Sequence, residues 1–248
     1  MKNEKEIMEQ VKANFDIITN IGNQQEHLNK IIENIQLANN STCLDLGTGN
    51  GYVAFTIAKE FPNSTVIGLD IVENVINNDN EIVKEKKLKN ISFNIYNGIE
   101  LPFLDNSIDY IVTRFALHHF PKIEKTISEL NRVLKKEGRI FIIDCIPNTE
   151  DNEDFINKWM EIIKDGHVRF YTEQEYINMF EKYRINIEKS FYTDVICKRY
   201  RNNEYEDLIN KTNEKIVNSY VEKITKEEIW LKEKVWNVIW KREEYKDG

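Results

Sequence analysis

The chain has 248 residues, 41% hydrophobic and 31% charged, which suits one α/β domain with elaborations and is short for two full ones. A net charge of −8 disfavours nucleic acid as a partner, because such a field repels a phosphate backbone. The opening "MKNEKEIMEQ" lacks the apolar stretch of a leader, and no run reaches membrane-spanning length, so a cytoplasmic protein without membrane insertion is expected.

In chain order, Ile7, Val11, Phe15, Ile18, Ile21, Ile31, Ile32 and Ile35 recur at helical spacing and predict two helices within 4–37, broken at 20–22. An alternation follows: strand 42–46, helix 51–60, strand 65–70, helix 72–88, strand 91–96, strand 108–115, helix 122–136 and strand 139–146. The charge run "KEKKLK" at 84–89 reads as a solvated helix end, and "KKEGR" reads as the stop of helix 122–136, with Gly138 just past it. Strands alternating with helices imply a parallel sheet with right-handed crossovers, covered on both faces.

Beyond Pro147 the pattern changes. A helix-forming acidic segment (150–165) leads to a helix opened by the capping box Thr172–Glu175, then a β-rich run (185–200) and a polar helix (203–223). "VWNVIW" near the end has both helical spacing and strand composition. Cys43, Cys145 and Cys197 lie in apolar runs without metal-type spacing and read as core thiols; no metal site is expected. The division expected is a helical cap (1–40), a ligand-binding core (41–146), a helical cover (147–183) and the last strands with an inserted helix (184–248), all in one domain.

The chemistry concentrates in "CLDLGTGNGYVA", a strand running into three glycines and then a helix. Backbone N–H groups and a helix N-terminus there face a ligand beyond the strand ends. The dinucleotide fingerprint wants glycine at position 52, where Tyr52 stands, and Asp45 sets a carboxylate where a pyrophosphate would lie. Asp70, ending the next strand, stands where an acidic side chain grips ribose hydroxyls. A cationic, phosphate-free adenosine compound fits these residues, and S-adenosylmethionine is one.

With these residues in view, the chain resembles class I S-adenosylmethionine-dependent methyltransferases of the ubiquinone/menaquinone-methyltransferase-like (type 11) group. "LDLGTGNG", "VIGLDIVENVI", "NGIELPFLDNSIDYIVTRFALHHF" and "ISELNRVLKKEGRIFIIDCIP" match that group's motifs in order, across roughly 40–146. The resemblance implies a Rossmann-like doubly wound α/β sheet, mostly parallel with an antiparallel C-terminal strand at 234–241, and helices on both faces. It implies that Asp45, Gly47, Thr48, Gly49, Asn50 and Gly51 line the methionine moiety, that Asp70 holds the ribose and that Ile71 packs on the adenine. Asn97 stands where the group usually has Asp to accept from the adenine amino group, and an Asn carbonyl can accept too. Gly98 and Ile99 would be neighbouring contacts, and Arg114 would lie at the methionine end; a surface cation is its plainer reading. "KDGHVRFYT" (164–172) is similar to a stretch that places the cover over the acceptor pocket.

Methyl transfer needs alignment and exclusion of water, and a protic acceptor also needs a base. His118, His119 and His167 are the candidates; ordering the loop and hydrogen bonding within the cover are their structural alternatives. "TRFALHHF" lacks the Asp/Asn-Pro-Pro-Tyr/Phe of adenine and glutamine methyltransferases, which with the acidic charge favours a small-molecule acceptor. S-adenosylhomocysteine would be the product. A nicotinamide-dependent oxidoreductase, disfavoured by Tyr52 and Asp45, and a non-catalytic S-adenosylmethionine binder are the competing readings. Trp230, Trp236 and Trp240 offer either a homodimer surface or a packed sheet edge.

Overall fold

The computed structural model describes residues 3–14 and 24–243; Phe15, Ile18, Ile21 and the expected break at 20–22 lie outside them. Helices α1 (Glu4–Ala13) and α2 (Gln24–Asn34) precede the alternation β1 (Thr42–Leu46), α3 (Tyr52–Glu60), β2 (Thr65–Asp70), α4 (Glu73–Glu85), β3 (Ile91–Ile95), β4 (Ile108–Arg114), α5 (Ile123–Val133) and β5 (Leu134–Cys145). Then come α6 (Phe155–Ile163), α7 (Glu173–Glu181), β6 (Ile185–Tyr200), α8 (Asn203–Lys211), α9 (Glu214–Tyr220), β7 (Val221–Ile224) and β8 (Glu228–Arg242).

The sheet runs β3-β2-β1-β4-β5-β8-β6, with β7 added on β8. β1 to β5 pair in parallel, and β8 is antiparallel to both β5 and β6. The mostly parallel sheet with an antiparallel C-terminal strand is therefore present, and β8 extends on both sides of the expected 234–241. Successive residues of β5 serve opposite faces: Phe141 and Ile143 join one apolar layer, Ile140 and Ile142 the other. Trp236 and Trp240 are buried in that second layer, so they are core residues of an interior strand and neither a rim nor a surface.

Two expected boundaries are corrected. Helix α5 stops at Val133, and Leu134 pairs with Ile108 before an irregularity in the ladder, so "KKEGR" belongs to a strand. Glu137 takes the left-handed backbone there (φ 61°), a role the sequence assigned to Gly138. The polar helix 203–223 is instead two short helices, each started by an Asn whose side chain caps the first turn (Asn202, Asn213), and then β7. The Thr172–Glu175 capping box forms as read, and the three cysteines are buried and free.

Strand order reverses between β1, which leads on to β2 and β3, and β4, which leads to β5 on the other side. The crevice beyond the carboxyl ends of β1 and β4 is where such sheets bind ligands.

Candidate active site

The glycine loop is fastened from below. Gly47 and Thr48 donate their backbone N–H to the Leu69 carbonyl at 2.9 and 3.0 Å. Gly47 has φ +70°, and a Cβ there would stand 2.5 Å from the Ala116 Cβ, so this position admits only glycine without displacement. Asp45 lies under the loop. Its Oδ2 accepts from the Thr48 hydroxyl at 2.7 Å and the Ala54 N–H at 3.1 Å, which ties the loop to the start of α3. Oδ1 has no hydrogen-bond partner among the described residues, and burial pushes the carboxyl up to about 6. Asp45 was expected to line the ligand; among the described residues it is absent from the cavity wall and acts through the loop it braces.

Above the loop opens a cleft. Gly47, Thr48, Gly49 and Asn50 form one side, Asp70 and Ile71 continue it, and Tyr96 and Gly98 extend it beyond β3. Asp70 is held in place: Oδ2 accepts from Gly49 N–H at 2.9 Å and Oδ1 from Val72 N–H at 3.0 Å. Burial raises its pKa, and these donors pull it back. The opposite side consists of Arg114, Phe115, Ala116, His119, Phe120 and Pro121. Phe115 has φ +49°, a costly backbone for a bulky residue and the kind of strain that clusters at functional sites. The Arg114 guanidinium lies 4.5 Å from the centre of the Phe115 ring, and its Nε and Nη2 are buried without a hydrogen-bond partner among the described residues. Burial draws Arg114 down to about 10, with Asp45 opposing, so it stays charged at neutral pH.

The three histidines are gathered, but only His119 lines the cleft. The 3₁₀ turn Leu117–His119 sends adjacent side chains to different sides. His118 turns into the interior, where Nδ1 meets Asp144 Oδ1 at 2.6 Å and its own N–H donates to Asp144 Oδ2 at 3.2 Å. Burial lowers its pKa, but the Asp144 carboxylate outweighs that and the net shift is upward. The His119 ring lies beside it, tilted, at 4.2 Å between ring centres. Burial, and then the charge of His118, hold His119 well below the ordinary value, so it is neutral at pH 7. A backbone hydrogen bond with Gly166 opposes that shift. His167 sits behind both, with Nε2 2.9 Å from Asn157 Oδ1 and its ring 5.5 Å from His118.

Residues 37–184 match the family profile of a methyltransferase domain. The chain belongs to that family. It is 30% identical to the uncharacterized methyltransferase YcgJ of Bacillus subtilis over 62% of this chain and 61% of that protein. It is 28% identical to the demethylmenaquinone methyltransferase of Thermotoga maritima over 59% of this chain and 63% of that one. The chain thus matches about three fifths of these two relatives' length. The crystal structure of YcgJ shares the fold, with a TM-score of 0.77 at 21% identity over 90% of this chain and all of that one.

Within this methyltransferase domain, several expected contacts are displaced. Gly51, with φ +69°, caps α3 and leaves the cleft wall to Asn50. The Asn97 side-chain oxygen accepts from Ile99 N–H at 2.9 Å and Glu100 N–H at 2.8 Å, closing its own turn, and neither Asn97 nor Ile99 reaches the described wall. Tyr96 and Gly98 are the wall residues there. No described residue of 147–183 lines the cleft, whereas Met8 and Val11 of α1 do. Sequence reasoning passed over Met8, Val11, Tyr96, Ala116 and Pro121. The nearness of the last two to Arg114 and His119 was the available signal; for α1 there was none, since its seat is set by packing.

Proposed function

We propose that the protein is an S-adenosylmethionine-dependent methyltransferase acting on a small, uncharged acceptor and releasing S-adenosylhomocysteine. The observation that carries this is Arg114, a cation on the cleft wall with two buried donors left unsatisfied. Unmet donors of a charged group are costly in a fold, and an amino-acid carboxylate offers the matching acceptors. Asp70 faces the same cleft and suits ribose hydroxyls, with Ile71 and Gly98 as apolar neighbours for the base. Tyr52 at the third fingerprint position supports this reading over a dinucleotide.

When bound, S-adenosylmethionine supplies an electrophilic methyl group. Arg114 and Asp70 would orient it, and Phe115, Phe120 and Pro121 would keep water out. His119 is neutral and faces the cleft, so it can take the proton of a hydroxyl or similar acceptor at a ring nitrogen. His118 and Asp144 support it from behind, and His167 holds the segment that follows. Among the described residues, the His119 side of the cleft carries no carboxylate or lysine, which supports an apolar acceptor. The name of the Thermotoga relative, demethylmenaquinone methyltransferase, points the same way.

A thermal-shift titration tests the reading. S-adenosylhomocysteine at a hundred times its Kd should stabilise the fold by about 2.7 kcal/mol, and NAD should not. Stabilisation by NAD alone would transfer the assignment to an oxidoreductase, and binding without turnover of any acceptor would make the protein a non-catalytic binder.

A further inference from the structure

β6 ends the sheet, and its outer flank meets no strand among the described residues. Such an edge is a template for another chain, and folds ordinarily blunt it with proline, a bulge or charge of one sign. Residues 192–200 hold no proline, and their ladder to β8 is regular; its irregularity falls earlier, between Ile187 and Lys189.

The side chains of this stretch divide by parity. Val195 and Cys197 are buried toward the core. Tyr192, Asp194, Ile196, Lys198 and Tyr200 stand exposed on the other face, the three apolar ones at 52, 40 and 83%. From either end that face reads tyrosine, a charge, isoleucine, a charge, tyrosine, and the two charges are opposite. Lys198 rests over the Trp230 ring at 4.1 Å. Its neighbours Lys232 and Lys234 have carboxylates at 3.0 and 3.7 Å, in Glu222 and Glu173. Among the described residues neither Lys198 nor Asp194 is in an ion pair.

We infer that the chain forms a twofold homodimer through β6, in which residues 192–200 of two copies pair antiparallel about Ile196 and continue one sheet across both. A twofold axis normal to the sheet keeps the same face outward in each copy. With the axis at Ile196, that residue meets its own copy, Asp194 meets Lys198 twice and Tyr192 meets Tyr200 twice. Beneath them Val195 meets Cys197. Moving the axis one residue either way sets both charges against Ile196 or a tyrosine. Moving it two residues sets Asp194 against Asp194, or Lys198 against Lys198. Charge of one sign would repel a second copy; opposite charges placed evenly about Ile196 attract it and fix the register. None of these residues lines the cleft, so the contact is separate from the candidate active site.

Sedimentation velocity of the full chain over a concentration series tests this. The parent should pass from monomer to dimer as its concentration rises toward about 100 μM. Asp194→Lys and Lys198→Asp each set like charges opposite one another at two places, and each should weaken association by about tenfold or more. The Asp194→Lys/Lys198→Asp double variant restores both opposite pairs and should return association to within about threefold of the parent. Both positions are exposed, and circular dichroism confirms that each variant is folded. A parent that stays monomeric at the highest concentration overturns the inference, whatever else covers the edge. Single variants that associate like the parent overturn it, as does a double variant no better than the singles.

Discussion

Asp79, on α4, is buried, and among the described residues neither carboxylate oxygen has a hydrogen-bond partner. Burial, reinforced by Asp45 and Asp70, lifts it to about 7 from an ordinary 3.8. Its folded pKa is raised, so the fold binds a proton that the unfolded chain releases. The cost of ionising it grows as pH rises from about 4 and is complete above about 7. Asp79→Asn should therefore be more stable than the parent by about 1–3 kcal/mol at pH 8, with the gap closing near pH 4. Urea titrations at the two values check it, and a gap independent of pH would refute the assignment. At the cleft, Arg114→Met should weaken S-adenosylhomocysteine binding by on the order of 100-fold, since a charged hydrogen-bonded pair is lost. His119→Gln should lower kcat by about 10²–10⁴-fold with little change in that affinity. Because His119 is held below its ordinary value, the acid limb of the parent's pH–rate profile should fall below pH 6.5. The sequence named this residue only as one of three. His118 and His119 are neighbours in an apolar run, and only the 3₁₀ turn decides which one sees the cleft. Asn97 was harder still, because its oxygen serves its own turn and no spacing rule reveals that choice.

At the scale of elements, the central parallel strands β1, β2 and β4 were legible because they are short apolar runs mostly buried on both faces; β1 and β2 begin and end where the pattern does. The stretch after α5 was not. Local charge and Gly138 argued for a helix stop, while pairing of Leu134 with Ile108 pulled the chain into the sheet early. Long-range pairing outweighed local preference there, as it did in the "VWNVIW" run. In β8, Trp240 stacks on Phe180 at 4.5 Å between ring centres and is almost fully buried. Trp240→Ala should cost about 3–5 kcal/mol by leaving a cavity between β8 and α7, measurable by chemical denaturation. Thr172→Ala, which breaks the capping box of α7, should cost only about 1 kcal/mol. If the cap variant proved the worse of the two, the account of this layer would be wrong.

For the whole molecule, one arrangement serves several needs. The strand reversal beside β1 opens the crevice, two apolar layers support it, and the loop and Arg114 face each other across it. The same layout has a consequence for how the chain is made. Among the described residues β6 has no neighbour in the sheet except β8, which is synthesised after it and must slot in between β5 and β6. A nascent chain that has emerged only as far as Tyr200 therefore holds a sixteen-residue ribbon with nowhere to dock, and β5 waits with one flank bare. Assembly of this half is obliged to lag behind translation until Arg242 clears the ribosome, and meanwhile the exposed flank is open to mispairing.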